Sequence, residues 1–300
     1  GIKLDHEIEY YDDVTGELVA WVKVPLLNAG QHNLIYLYYG NSQSPNQENV
    51  DSTWSNNYIM VQHADGIGEL IDSTSNNING NEFGASSSVN GLIDGCRVFD
   101  NTNDYYNIAE DDLLDPGLNS FTLSMWTNMS FINNHRIFDK FASSSGYMIN
   151  VYQGGADANY FMVGDGSSLT YRYWNTNWAD NTWHYLTAVI NRNTDTINLY
   201  LDGELNNGVG AGSLSGVGSI ENNYDLSLRN GFDGLMDEIR ISNIIRDDYW
   251  ISACYKNQIS PQEFIYKFNQ EIVSDFIPPE IEEININPQI VPQGNYINIS

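Results

Sequence analysis

Apolar residues along this chain recur at every second position, and almost no stretch repeats at the helical spacing. The segment HEIEYYDDVTGELVAWVKVP (6–25) reads as strand, acidic turn and strand. Val14, Thr15 and Gly16 supply the turn, and Pro25 ends the second strand because it cannot donate to a ladder. NLIYLYYGN (33–41) is a further aromatic strand. From residue 121 onward, FTLSMWTNMSF, RIFDKF, YMINVYQ, NYFMVGD, LTYRYWN, WHYLTAVINR, TINLYLDGEL, YDLSLRNG and GLMDEIRIS succeed one another, separated by Gly, Asn, Asp and Ser. Many short strands with regular turn signals predict an all-β antiparallel sandwich or jelly roll. RDDYWISACYKN (246–257) reads as a short helix with Asp247 or Asp248 at its N-terminus, where negative charge is favoured.

The pattern divides the chain. Residues 1–45 hold two or three strands, too few to close a sandwich, so they must pack on the next module or belong to a longer domain. Residues 46–57 are a polar linker or strap, 58–258 the main module and 259–279 a second linker containing the stiff Pro278-Pro279 pair. Residues 280–300 read as the first two strands of another β domain. Both ends stop mid-pattern, which predicts a piece of a longer, exported protein.

Charge narrows the function. The net charge is −27 and the pI about 4.1, with only 12 Lys and Arg. Phosphate backbones need cationic partners, so nucleic acid is excluded as a ligand and anionic membrane surfaces are disfavoured. No run of about 18 apolar residues occurs that would span a bilayer. An acidic surface serves solubility, adaptation to salt, or supply of oxygen ligands for Ca²⁺. Cys96 and Cys254 sit near the two ends of the main module, and both a disulfide and a pair of buried thiols fit them.

Five ordered segments of the main module resemble laminin-G-like domains. HADGIGELIDSTSNNINGNEFG (63–84) looks like their starting loop, and GLIDGCRVFDNTNDYYNIA (91–109) and FTLSMWTN (121–128) like their opening strands. WHYLTAVINRNTDTINLYLDGEL (183–205) is similar to their Trp-His, strand, turn, strand, Asp-Gly signature, and FDGLMDEIRISNIIRD (232–247) to their closing strand. The resemblance implies a two-sheet antiparallel jelly-roll sandwich of the laminin-G/concanavalin-A-like class, with short β-rich flanking segments. Its terminal strands would lie close together, which brings Cys96 towards Cys254. WVKVPLLNAGQHNLIYLYYGNS (21–42) resembles the end of an uncharacterised β-rich family that precedes such modules in archaeal and bacterial surface proteins. The tail resembles the opening of an immunoglobulin-like domain.

Candidate chemistry is sparse. The loop 72–80 (DSTSNNING) presents side-chain oxygens, and the plain reading is an Asn-rich turn closed by its own hydrogen bonds. The family resemblance implies a structural Ca²⁺ held by Asp72, Asn76, Asn79 and Asp237, although Ser75 and Ile78 depart from the family's usual Gly and Asn. Tyr171, Tyr173, Trp174 and Trp178 could stack on a sugar, with Asn175, Asn177 and Asp180 nearby; strand packing explains them as well. Catalysis is not expected. No Glu-x-Asp-x-Glu strand appears, Asp237 and Glu238 are adjacent and so should face opposite sides of a strand, and the five His are scattered, with His184 read as structural. Asn128 and Asn298 match the N-glycosylation pattern.

The expected function is therefore a non-catalytic binding or adhesion module of an extracellular surface protein, recognising carbohydrate or glycoprotein. The alternatives are a subunit of a surface layer, stalk or filament that joins other copies of itself by strand contacts, and an accessory domain of an enzyme. Fold alone does not choose among them.

Overall fold

The structure is a computed structural model. It describes residues 2–28, 33–84, 86–88, 91–100, 102–130, 135–152, 159–228 and 233–267, and the backbone of 282–286 and 296–299. In chain order, the N-terminal segment holds β1 (His6–Tyr11), β2 (Leu18–Lys23), β3 (Asn33–Leu37) and the short helix α1 (Val50–Thr53). Next come β4 (Tyr58–Gln62), β5 (Gly80–Phe83), β6 (Ser86–Ser88), β7 (Cys96–Asp100) and β8 (Tyr105–Ile108). The middle contains β9 (Phe121–Met129), β10 (His135–Ala142), β11 (Ser145–Val151), β12 (Tyr160–Asp165) and β13 (Leu169–Tyr173). After these come β14 (Trp183–Asn191), β15 (Thr196–Leu201), β16 (Glu204–Leu205), β17 (Leu226–Leu228) and β18 (Asp233–Ser242). The chain closes with α2 (Asp248–Ile259), α3 (Pro261–Phe264), β19 (Ile265–Lys267), β20 (Glu282–Ile286) and β21 (Tyr296–Ile299).

Two antiparallel sheets make the sandwich. One runs β13-β12-β11-β10-β17-β8-β5; the other runs β16-β15-β14-β9-β18-β7-β6, with β4 also paired to β18. Between them lies one apolar core, in which Leu123, Met125, Leu186, Ala188, Met236 and Ile239 of one sheet meet Phe138, Ile149, Phe161 and Val163 of the other. The alternation that marked these strands is the alternation of core and outer face.

The outer faces differ. That of the eight-stranded sheet is covered by the β1–β2 hairpin, α1 and α2. Apolar clusters beneath the cover join Val19, Trp21, Trp54, Tyr58 and Trp250, and, further along, Trp126, Tyr185, Tyr200 and Ile251. This explains why β9 and β18 are buried along nearly their whole length instead of alternating. Asp247 caps α2 by accepting the Trp250 N–H at 2.8 Å, as the acidic start of that segment suggested. On the outer face of the seven-stranded sheet, Met148, Asp139 and Asn150 in the middle are buried, while Tyr171 at one edge and Phe83 at the other are exposed.

The polar 46–57 segment is more than a linker. It carries α1, and its Trp54 is fully buried. The two tail strands, expected to open a separate domain, pair back instead: β20 lies between β19 and β3, and β21 lies beside β2. Most of the 259–279 linker, with its proline pair, falls outside the described residues. Cys96 and Cys254 are thiols not joined to each other, the second of the two readings the sequence left open. No described helix is long and apolar enough to cross a membrane.

Candidate functional site

Register places one continuous row of side chains across the outer face of the seven-stranded sheet. Tyr171 opposes Met162, Met162 opposes Met148, Met148 opposes Asp139, Asp139 opposes Ser227, Ser227 opposes Asn107, and Asn107 opposes Asn81. Their strand neighbours Phe161, Val163 and Ile149 are in the core, so the row points outward. Six inter-strand steps of about 4.8 Å give it a length of roughly 29 Å. A second row, Arg136, Asn150, Tyr160 and Tyr173, runs beside it over four strands.

The two ends of this face are aromatic and the middle is polar. Tyr160, Tyr171 and Tyr173 form a closed triangle with ring centroids 5.3 to 5.9 Å apart, and Tyr171 is 38% exposed. At the other end, Phe83 stacks on Tyr105 at 4.5 Å with the planes 6° apart. Between them, Arg136 holds Asp139 at 3.3 Å and covers it, while Asn107 donates to Asp225 at 2.7 Å and accepts from Ser227 at 3.3 Å. Burial, more than any neighbouring charge, pushes the Tyr160 hydroxyl up and keeps it protonated. Asp139, Met148 and Asn150 are buried, so what the face offers is the tyrosine cluster at one end and Ser227, Asn107, Asn81 and the Phe83–Tyr105 stack towards the other.

A second opening lies at the loop end of the sandwich. It is a cleft of about 510 Å³ lined by Asp112, Asp115, Asn119, Asn193, Asn243 and Ile59, among others. Its described lining contains no aromatic residue, and Asp115 is engaged with Lys140 at 3.0 Å.

The residues singled out from sequence divide. Tyr171 and Tyr173 stand on the outer face of the seven-stranded sheet. Trp174 and Trp178 do not: both are 0% exposed, packed edge to face in the core, and Trp174 donates to the Tyr200 carbonyl at 3.0 Å. Strand β13 ends at Tyr173, and the chain there turns inward. Tyr160 escaped notice because only the β12–β13 register brings it beside the other two.

The loop 72–80 folds as the plain turn reading expects. The Asp72 carboxylate accepts the N–H groups of Val61, Thr74 and Ile78 and the Thr74 hydroxyl, all at 2.8 to 3.0 Å. Asn79 accepts the Asp72 N–H, and Asn76 donates its amide to the Ile59 carbonyl. Asp237 accepts the N–H groups of Leu92 and Ile93. With every lone pair of Asp72 taken, this donor set does not fit a Ca²⁺ ion, which needs six to eight free oxygens. Asn128 lies half-buried near the end of β9, and the side chain of Asn298 is outside the described residues.

The densest chemistry was not anticipated. Under the hairpin, His63 lies with Nδ1 2.7 Å from Glu238 Oε1 and 3.3 Å from Glu9 Oε2, and Nε2 3.2 Å from Glu7 Oε2. Its ring stacks on Trp21 at 5.7 Å and tilts against Trp54 at 5.4 Å. The two indole N–H groups donate to Glu9 and Glu7, and Arg240 grips Glu238 while lying over both indoles at 4.3 and 4.8 Å. Alternation on β1 turns Glu7 and Glu9 to the same side. On β18 a bulge does the equivalent. Met236 and Ile239 both reach the core, and Glu238 adopts φ +52° between them, so Asp237 and Glu238 share the outer side rather than facing opposite ways.

Burial works against every charge in this cluster. It would strip the His63 proton, but Glu238, Glu9 and Glu7 outweigh it and hold His63 protonated well above its usual range. Burial also acts on Glu7, yet the His63 charge and hydrogen bonds from His63, Trp54 and Ser73 bring its carboxyl down to about 2. Glu238 is lowered because Arg240 and His63 overcome its burial. For Glu9 and Asp237 burial wins, aided by neighbouring carboxylates, and both rise well above the usual carboxylate range.

The profile of the concanavalin A-like lectin/glucanase superfamily matches residues 100–252. The chain belongs to that superfamily. A domain family of unknown function, DUF2341, matches residues 1–82, and so reaches past the hairpin into β4 and β5 of the lectin-like sandwich. No curated protein matches the chain. Among solved structures, the binding domain of Paraclostridial mosquitocidal protein 1 is similar at TM-score 0.58 and 13% identity, over 67% of this chain and 52% of that one. The binding domain of botulinum neurotoxin DC in complex with SialylT (TM-score 0.54, 14% identity) and that of botulinum neurotoxin serotype G (0.55, 16%) each match over 68% of this chain and 52% of theirs. The lectin-like chain thus spans about half the length of these binding domains. At such identities the likeness is one of fold.

Proposed function

We propose that this chain is a non-catalytic carbohydrate-binding module of an extracellular surface protein, and that it binds glycan on the outer face of the seven-stranded sheet, at its exposed tyrosine end. The observation that carries the reading is the cluster of Tyr160, Tyr171 and Tyr173 at one end of this face, on the same outer side as Ser227, Asn107 and Asn81. Sugar rings present apolar C–H faces and polar edges, and this surface supplies a partner for each. The lectin superfamily and the receptor-binding neighbours support the same class of ligand. For hydrolysis, a glycosidase places two carboxyl groups about 5 to 9.5 Å apart across the bond it cleaves. Along the row the one carboxylate is Asp139, and Arg136 neutralises it.

The test is binding of the whole chain to a panel of soluble polysaccharides, repeated with Tyr171→Ala/Tyr173→Ala and with Asn119→Ala/Asn243→Ala. Truncating an aromatic anchor costs about 1–2 kcal/mol, so the tyrosine pair should weaken binding at least tenfold. If the asparagine pair abolishes binding and the tyrosine pair does not, the loop-end cleft is the site and the sheet-face reading fails.

Assembly into a layer or filament is the second reading. It is favoured by the exposed Leu34, Tyr36, Tyr38 and Tyr39 on and after β3. Concentration-dependent self-association relieved by Tyr36→Ser/Tyr38→Ser would support it; a monomer at all concentrations would end it.

A further inference from the structure

We propose that Glu9 Oε2, Glu238 Oε1 and His63 Nδ1 form a binding site for one divalent transition-metal ion of the zinc class, set in the seam between the N-terminal hairpin and the sandwich. The three donor atoms lie within 4.8 Å of one another. His63 Nδ1 is 2.7 and 3.3 Å from the two oxygens. Donors about 2.1 Å from one tetrahedral ion stand roughly 3.4 Å apart, so an ion enters with small shifts. One imidazole and two carboxylates suit zinc better than Ca²⁺, which takes oxygen alone.

The surroundings are those of a metal centre. The other ring nitrogen of His63 faces Glu7 at 3.2 Å, and a carboxylate behind a ligating imidazole fixes its tautomer and raises its basicity. The ion would take the place of the Nδ1 proton. Glu238 keeps its second oxygen on Arg240, and Glu9 Oε2 retains a lone pair for the Trp21 indole.

The seam also holds two buried carboxyl oxygens without a hydrogen-bond partner. Glu9 has a side chain 1% exposed, and its Oε1 has no hydrogen-bond partner; the same holds for Oδ1 of the fully buried Asp237. Burying such an atom unmatched costs about 1–3 kcal/mol. Four carboxyl groups, Glu7, Glu9, Asp237 and Glu238, share this seam with one guanidinium and one imidazole. The ligands come from three elements: Glu9 from β1, His63 from the turn after β4, and Glu238 from the β18 bulge. An ion here would pin the hairpin to the sandwich.

The experiment uses the whole chain, stripped with a chelator and titrated with Zn²⁺ at 0.5 M NaCl to suppress loose binding to the acidic surface. The expected result is one Zn²⁺ per chain and a Zn²⁺-dependent rise in unfolding midpoint. Glu9→Gln, isosteric with the protonated acid, should fold and lose both responses. Glu7→Gln should weaken Zn²⁺ binding ten- to a hundredfold, as removal of such a supporting carboxylate does. An equal response of wild type and Glu9→Gln, or no Zn²⁺ bound by wild type, overturns the proposal.

Discussion

The two outer faces of the sandwich solve opposite problems with similar residues. Both carry aromatic rings beside carboxylates and an arginine. On the covered face, Trp21 and Trp54 enclose His63 and Arg240, and the charges are buried to the point where each depends on its neighbour. On the outer face of the seven-stranded sheet, Tyr160, Tyr171 and Tyr173 pack against one another, and the part-exposed Arg136 pairs with the buried carboxylate of Asp139. Rings that are capped by a second layer become structure. On the other face Tyr171 stays 38% exposed and accessible to a ligand.

Mutation should separate the faces by stability. The largest effect is expected from Arg240→Ala, which strands the buried Glu238 carboxylate; a loss of about 3–5 kcal/mol in denaturant unfolding is expected. Acid comes next. Glu7 titrates near 2 in the folded chain against 4.5 without partners, so its stabilisation is complete above pH 4.5 and drains away as the pH falls towards 2. Wild type should therefore lose roughly 3 kcal/mol more than Glu7→Gln across that window, read from paired unfolding curves. Tyr171→Ala/Tyr173→Ala, on the other face, should change stability by about 1 kcal/mol or less while reducing glycan binding at least tenfold. A large loss of stability there would mean that the tyrosines are structural after all. Smallest of all, excess Ca²⁺ against chelator should leave the midpoint unmoved, since the Asp72 carboxylate is already occupied by four donors. A clear Ca²⁺-dependent rise, lost in Asp72→Ala, would require that loop to rearrange around an ion.

Much of the fold could be read from the chain because short apolar or alternating runs bounded by turn residues are a local signal, and the strands 121–129, 183–191 and 233–242 stand out in that way. The sites were harder because each depends on pairing between distant strands. Glu7, Glu9, His63 and Glu238 are spread over about 230 residues of chain and share no motif. Only the docking of β1 against β18 brings them together. The Asp237-Glu238 pair was misjudged for a specific reason: regular alternation predicts opposite faces, and a bulge with one left-handed residue cancels it. Trp174 and Trp178 were grouped with Tyr171 and Tyr173 by nearness in sequence, although the strand ends between them. A clue lay in HEIEYY itself. Two acids at alternate positions facing the apolar side of a hairpin rarely stay unpaired.

The way β4 is shared carries a consequence for how the protein can be handled. Residues 1–82 and 100–252 match different families, yet β4 of the first pairs with β18 of the second, and the hairpin roofs the sheet they build together. The boundary visible between families is therefore not a seam along which the molecule comes apart. A fragment beginning at residue 58 would leave Tyr58, Val61 and Trp250 without their roof and expose a guanidinium and two carboxylates that evolved in the dark. Such a fragment should be prone to aggregate, because the interface between the two family regions is part of one sheet.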